Sequence, residues 1–158
     1  SAHSCEMQLT STAFSDGGAI PFRHSCDGQN GSPPLSWSAP PAQTRSFALL
    51  CEDPDAPSGL WHHWAIFDIP GDQHALAMSY GRDDAPSGPR QALNDFHKQG
   101  YDGPCPPRGG GSHRYFFRLL ALSVEHLPLK KHPSCASVAE AAKSCTVAAA
   151  LLMGRYER

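Results

Sequence analysis

Two aspartates interleaved with prolines, Asp53-Pro54-Asp55-Ala56-Pro57, follow one residue after the continuously apolar run Ser46 to Cys51. Proline fixes φ and has no N–H to donate, so the chain is expected to leave its sheet here in a stiff, defined shape. Carboxylates so placed are not ordinary solvated strand residues. Trp61-His62-His63-Trp64 opens the next apolar run. Strand side chains alternate, which puts Trp61 and His63 on one face and His62 and Trp64 on the other. On a third run His113 and Tyr115 share a face, opposite Arg114. Histidines at strand starts beside rigid carboxylates point to one shared site at a sheet end. If Asp53 accepts a hydrogen bond from a ring nitrogen of His63 or His113, it fixes the tautomer and favours the imidazolium, above the ordinary pKa of about 6.5. A protonated imidazole then donates charge-assisted bonds to an oxyanion. The Tyr115 hydroxyl and loop amides add donors, and Trp61 forms an apolar wall. Arg114 is expected to pair with a buried carboxylate rather than touch a ligand.

Two enzyme readings compete for the same residues. His and Asp clusters can hold a metal that activates water for hydrolysis, but no HExxH helix is present and the histidines fall on strands. Cys105 with His113 has the residue types of a thiol nucleophile and its base; Cys105 lies between prolines with no evident oxyanion donor. Neither supplies a constellation stronger than anion binding, so no catalytic residue, metal or cofactor is assigned. The six cysteines (Cys5, Cys26, Cys51, Cys105, Cys135, Cys145) form no CxxC pair, unlike structural zinc sites. Buried thiols in a reducing cytoplasm are favoured over disulfides in an oxidising compartment, with Cys51 in the core and Cys135 and Cys145 on or beside the last helix.

The elements that position these groups are short. The chain has 158 residues, of which 40% are hydrophobic and 18% charged, a size for one domain over residues 1–158. Gly and Pro number 14 and 15, against about 19 together for average usage, so many turns and short strands are expected. Strands are expected at Ser46–Cys51, Trp61–Ile69 and His113–Ser123, a hairpin turn at Asp16-Gly17-Gly18, and a loop over Asp27–Pro34. The sequon Asn30-Gly31-Ser32 reads as a turn. Long Gly/Pro-rich stretches, Gly81–Gly88 and Gly100–Gly111, suit functional loops. Ala136–Met153 is alanine-rich, with Ser137-x-x-Glu140 resembling a capping box and Gly154 a terminator, so a single helix is expected there. Strands followed by one late helix suggest an antiparallel β-domain with a surface helix. The formal net charge of −2 and the absence of any basic run beyond Lys130-Lys131 argue against nucleic acid and a polybasic membrane patch. No apolar stretch reaches the ~18 residues of a membrane span. A cytoplasmic location is expected, or a periplasmic or secreted one if a leader preceded Ser1.

The motifs Asp53-Pro54-Asp55-Ala56-Pro57, Trp61-His62-His63-Trp64, Gly100-Tyr101-x-Gly103-Pro104-Cys105-Pro106-Pro107 and His113-Arg114-Tyr115-x-Phe117 resemble the signature of the phosphatidylethanolamine-binding protein (PEBP) family. Within it, the chain is most similar to the bacterial and archaeal Raf-kinase-inhibitor-like branch. Cys26-Asp27-Gly28, Ser32-Pro33-Pro34-Leu35-x-Trp37 and Leu152-Met153-Gly154-x-Tyr156 fit as well, so the resemblance spans nearly the whole chain. It implies a mainly β fold, a PEBP-like sandwich of two antiparallel sheets with a C-terminal surface helix and long Gly/Pro-rich loops. It also implies a small sheet-end pocket for phosphate or other anions, falling on Asp53, Trp61, His63, Pro106, Pro107, His113 and Tyr115, with Asp55 close by. The implied partners are phosphate, a phospholipid head group or a phosphorylated ligand, a regulated protein such as a kinase, and a second copy of the chain. The alanine-rich helix with Leu151 and Leu152 is expected either to make the homodimer contact or to pack on the sheet.

Overall fold

The computed structural model describes residues 6–158; Cys5 lies outside them. Eight strands and one α-helix are arranged as β1 (Gln8–Thr10), β2 (Leu35–Ser38), β3 (Ser46–Ala56), β4 (Gly59–Pro70), β5 (Ala75–Leu76), β6 (Arg90–Gln91), β7 (His113–Leu122), α1 (Cys135–Ala142) and β8 (Thr146–Tyr156), with a 3₁₀ turn at Phe22–His24. Every pairing of strands is antiparallel, in one sheet of order β1-β2-β5 and a larger one of order β6-β4-β3-β7-β8. The expected sandwich of two antiparallel sheets is therefore present, and neither sheet closes into a barrel.

The central strand explains its own composition. Phe47, Leu49 and Cys51 on β3 pack with Leu9 and Trp37 of the small sheet, while Ala48 and Leu50 pack with Val138 and Ala142 of α1. A strand covered on both faces must be apolar at consecutive positions. Two irregularities redirect β4. Cys51 pairs with Trp64 but Glu52 with His62, so His63 is the extra residue of a bulge. Phe47 pairs with Ile69 but Leu49 with Ile66, and Asp68 in that gap has φ +56°. The second irregularity brings Ile66 and Ile69 into the same inter-sheet core; the first breaks the expected alternation, since Trp64 joins that core instead of lying opposite His63.

Three other expectations are corrected. The chain does not leave the sheet at Pro54: β3 runs on to Ala56, turns through Pro57 and Ser58, and returns at Gly59, whose φ of +103° a side chain would oppose. Asp16-Gly17-Gly18 forms a turn but joins no hairpin. Its segment lies along the edge of β8, with Gly17 N–H donating to Met153 O (2.7 Å) and Arg155 N–H to Gly18 O (2.8 Å). The single helix expected over Ala136–Met153 is α1 followed by β8. Ser134, not Ser137, caps α1, its hydroxyl accepting from Ser137 N–H at 3.1 Å. Beyond Cys145 the chain has a period of two: Ala150, Leu152 and Gly154 point into the sandwich, Val147 and Leu151 outward. Leu152 is thus core and Leu151 surface, both on a strand rather than a helix. Pairing along the whole of β7 overrides alanine's helix propensity, which is the highest of any residue but small per position. Gly154 terminates nothing; a Cβ there would lie 2.5 Å from Ile20 Cγ1 and 2.8 Å from Phe14 Cε2.

Candidate functional site

At one end of the large sheet β3, β4 and β7 deliver Asp53, Trp61, His63, His113 and Tyr115 to a common cavity of about 280 Å³. The β3–β4 turn contributes Ala56, Pro57 and Ser58, and the Gly/Pro-rich loop before β7 contributes Cys105, Pro106 and Pro107. Seven of the eight residues singled out in the sequence line it. Asp55 does not: it faces Arg114, which donates to it from Nε (2.9 Å), Nη2 (2.8 Å) and its backbone N–H (2.9 Å). The guanidinium holds the Asp55 carboxyl down to about 2. Arg114 thus has a carboxylate partner, though a partly exposed one. Arg118, further along β7, instead grips the buried Glu52 (3.0 and 3.2 Å), which does not line the cavity. Asp55 still shapes the site through its backbone, whose N–H donates to Asp53 Oδ1 at 2.7 Å.

The two cavity histidines are held differently. His113 Nδ1 donates to Asp53 Oδ2 at 2.8 Å, both side chains being buried, which fixes the tautomer and leaves Nε2 for the cavity. His63 Nδ1 instead donates to the backbone carbonyl of Asp102 at 2.7 Å. Asp53 is therefore the partner of His113 and not of His63. Burial pushes the His63 pKa below the ordinary histidine value, outweighing the Asp102 carbonyl and the carboxylates of Asp53, Asp102 and Asp95. The expectation of a raised pKa is overturned for His63, because the imidazole is desolvated and its hydrogen-bond partner is uncharged.

The aromatic walls are tightly arranged. Tyr115 meets His63 edge-on at 5.2 Å and stacks against His113 at 6.4 Å. Phe96, which the sequence reading passed over, meets both Trp61 (5.5 Å) and His63 (5.4 Å). It sits in the polar stretch Asn94-Asp95-Phe96-His97, where a lone aromatic among turn formers was the available signal. The Tyr115 hydroxyl and Trp61 Nε1 are buried without a hydrogen-bond partner among the described residues. Burial, with the charge of Asp53 nearby, raises the Tyr115 pKa, so the hydroxyl keeps its proton and stays a donor.

A second layer was also missed. The Asp102 carboxylate accepts from Arg82 (2.9 and 3.2 Å), Asn94 (2.7 Å) and Asn30 (3.0 Å). Burial opposes its ionisation, but Arg82 and Asn94 outweigh it and lower the pKa. Three loops are thereby fastened to the residue whose carbonyl orients His63. Asn30 serves here as a turn residue (φ +61°) whose amide also accepts Gly103 N–H at 2.8 Å.

Cys105 is not a thiol. It forms a disulfide with Cys26 across 79 residues, beside a backbone bond from Cys26 N–H to Pro104 O at 3.0 Å. This corrects the reduced-thiol reading for that pair and removes the Cys105 nucleophile, since a disulfide sulfur carries no attacking thiolate. Cys51, Cys135 and Cys145 are free, and Cys51 is core as expected. Among the described residues no group of three or more His, Cys, Asp or Glu side chains is placed to hold a metal ion. No helix among them is long and apolar enough to cross a membrane.

The family model described as phosphatidylethanolamine-binding protein matches residues 10–157. A UPF0098 protein of Methanothermobacter thermautotrophicus is 48% identical over 155 residues, covering 96% of this chain and 99% of that protein. A crystal structure of Escherichia coli YbcL, described as a new member of the mammalian PEBP family, superposes with a TM-score of 0.91 at 36% identity, over 98% of this chain and 99% of that one. A Mycobacterium tuberculosis protein, LppC, named as a candidate lipoprotein, is 39% identical over 152 residues, 96% of this chain and 72% of that protein.

Proposed function

We propose that this chain, which belongs to the phosphatidylethanolamine-binding protein family, binds small oxyanions, and phosphoryl groups above all, in the sheet-end cavity. The observation that carries this reading is the set of polar groups on residues that line one small space. The Tyr115 hydroxyl and Trp61 Nε1 are buried and unpartnered, and His113 presents Nε2 from a ring anchored on Asp53. Buried donors normally find acceptors, and an oxyanion supplies several at once. When His113 carries its second proton, the Asp53–His113 pair becomes a charge-assisted donor held in fixed orientation. Trp61, Phe96 and the prolines form the remaining walls.

No Lys or Arg lines the cavity, so affinity for a free ion is modest; a millimolar constant already corresponds to about −4 kcal/mol. This is a binding site rather than a catalytic one in our reading, because no side chain in it has a nucleophile-and-base arrangement. A phosphorylated side chain on a partner protein presents the same group as a free phosphomonoester and enters by the same chemistry. The Cys26–Cys105 bond favours an oxidising compartment, against the cytoplasmic expectation. Calorimetric titration with inorganic phosphate near neutral pH tests the reading. Millimolar binding, weakened at least tenfold in His113→Ala, is expected; absence of binding by the wild type overturns it.

A further inference from the structure

The two cavity histidines are not equivalent, and their difference defines the form of ligand the cavity takes. His113 rests its Nδ1–H on a carboxylate, Asp53, a partner that matches an imidazolium charge for charge. His63 rests its Nδ1–H on the uncharged carbonyl of Asp102. A neutral imidazole has one N–H, so with the proton on Nδ1 the His63 Nε2 is a lone-pair acceptor. Asp53 Oδ1 accepts from Asp55 N–H and Oδ2 from His113 Nδ1–H. His63 Nε2 is thus a lone-pair acceptor on a residue that lines the same cavity as Tyr115, Trp61 and His113.

Building on the oxyanion reading, we infer that the cavity selects a phosphoryl group that still carries a proton, the monoanion of a phosphomonoester, over its dianion and over phosphodiesters. The P–OH donates to His63 Nε2, and the remaining oxygens accept from Tyr115 and Trp61 and, when the Asp53-bound ring carries a second proton, from His113 Nε2. A dianion has no proton for His63 and brings a second negative charge to a cavity with one carboxylate and no Lys or Arg. A phosphodiester has the right charge but no P–OH, so a diester lipid head group leaves the His63 acceptor unpaired. The groups around His63 keep it in the acceptor state. Asp53 lies on β3, His113 and Tyr115 on β7, and Asp95 and Asp102 on the adjoining loops, with the Asp102 charge answered by Arg82 and Lys98. Burial outweighs the pull of the three carboxylates on its proton.

Three probes separate the possibilities: methyl phosphate, dimethyl phosphate and methyl sulfate, titrated calorimetrically at about pH 5.5 and 8.5, a span around the ordinary histidine pKa. Dimethyl phosphate and methyl sulfate are monoanions without a titrating proton, so their pH dependence reports the protein alone. Methyl phosphate is expected to bind at least tenfold tighter than either at the lower pH. With a second ionisation near ~6, its monoanion falls on the order of 200-fold across the span. Its affinity is expected to fall by that factor beyond the change seen for methyl sulfate. In His63→Ala the ratio of methyl phosphate to methyl sulfate affinity should drop to about one. Parallel pH curves for all three probes, or methyl phosphate tightening as pH rises, would overturn the inference while leaving oxyanion binding intact. Binding as tight for dimethyl phosphate as for methyl phosphate would do the same and point to diester head groups. If no probe binds, the oxyanion reading itself falls and this inference with it.

Discussion

Histidines buried against uncharged carbonyls behave unlike histidines on the surface, and two lie among the described residues. His63 sits on Asp102 O, and His24 on Gly31 O at 2.8 Å. Burial is the leading cause that lowers both pKa values. Above the ordinary value of about 6.5 both rings are neutral in the folded and unfolded chain and cost nothing. Below it the unfolded chain takes up protons that the folded chain resists, so stability falls with acid. The urea midpoint is expected to decline as pH is lowered from about 7.5 to 5.5; a flat or rising midpoint would contradict this. Arg114 belongs to the same scale. Its fork on Asp55 links the ends of β3 and β7 outside the cavity, so Arg114→Ala should lower thermal stability slightly and leave phosphate affinity within about twofold, as expected for an exposed pair. A loss of phosphate binding comparable to that of His113→Ala would place Arg114 in the site after all. The residue types of the cavity were legible because prolines and paired aromatics bracket them. The partners of the histidines were not, since neither a backbone carbonyl nor a bulge leaves a mark in the residue spacing.

Elements read well wherever burial alone fixed their period. β3, β4 and β7 lie near their expected positions because two-sided or alternating apolar faces leave one conformation for such runs. The three strands of two residues or three, β1, β5 and β6, carry too few side chains for any period to show. β8 misleads for a different reason. The run Ala148-Ala149-Ala150 satisfies helix and strand patterns alike, and only its partner strand decides. Gly154 tests this reading, because its hydrogen faces Ile20 and Phe14 across the sandwich. Gly154→Ala should destabilise the fold by about 1–3 kcal/mol, as overpacking does; a neutral effect would mean that β8 does not lie against that segment. In a helix the same substitution would be stabilising.

At the level of the whole molecule, the cavity depends on distant segments being tied together. The Cys26–Cys105 bond fastens the early loop to the one carrying Pro106 and Pro107, while Arg82, Asn94, Asn30 and Asp102 fasten the loops behind His63. Closing a loop of this length restricts the unfolded chain by about 4 kcal/mol in the chain-entropy account. Reduction with a dithiol should therefore lower the melting temperature by several degrees and weaken phosphate binding; unchanged melting after complete thiol release would show that the bond constrains nothing. The pairing was not readable from sequence because cysteine order does not specify connectivity. The central claim, that these segments enclose a place for an oxyanion, is tested most directly by a crystal of the protein soaked in methyl phosphate. Tetrahedral density is expected within hydrogen-bond reach of His113 Nε2, His63 Nε2 and the Tyr115 hydroxyl; an anion bound only elsewhere, with water alone between those three groups, would contradict it.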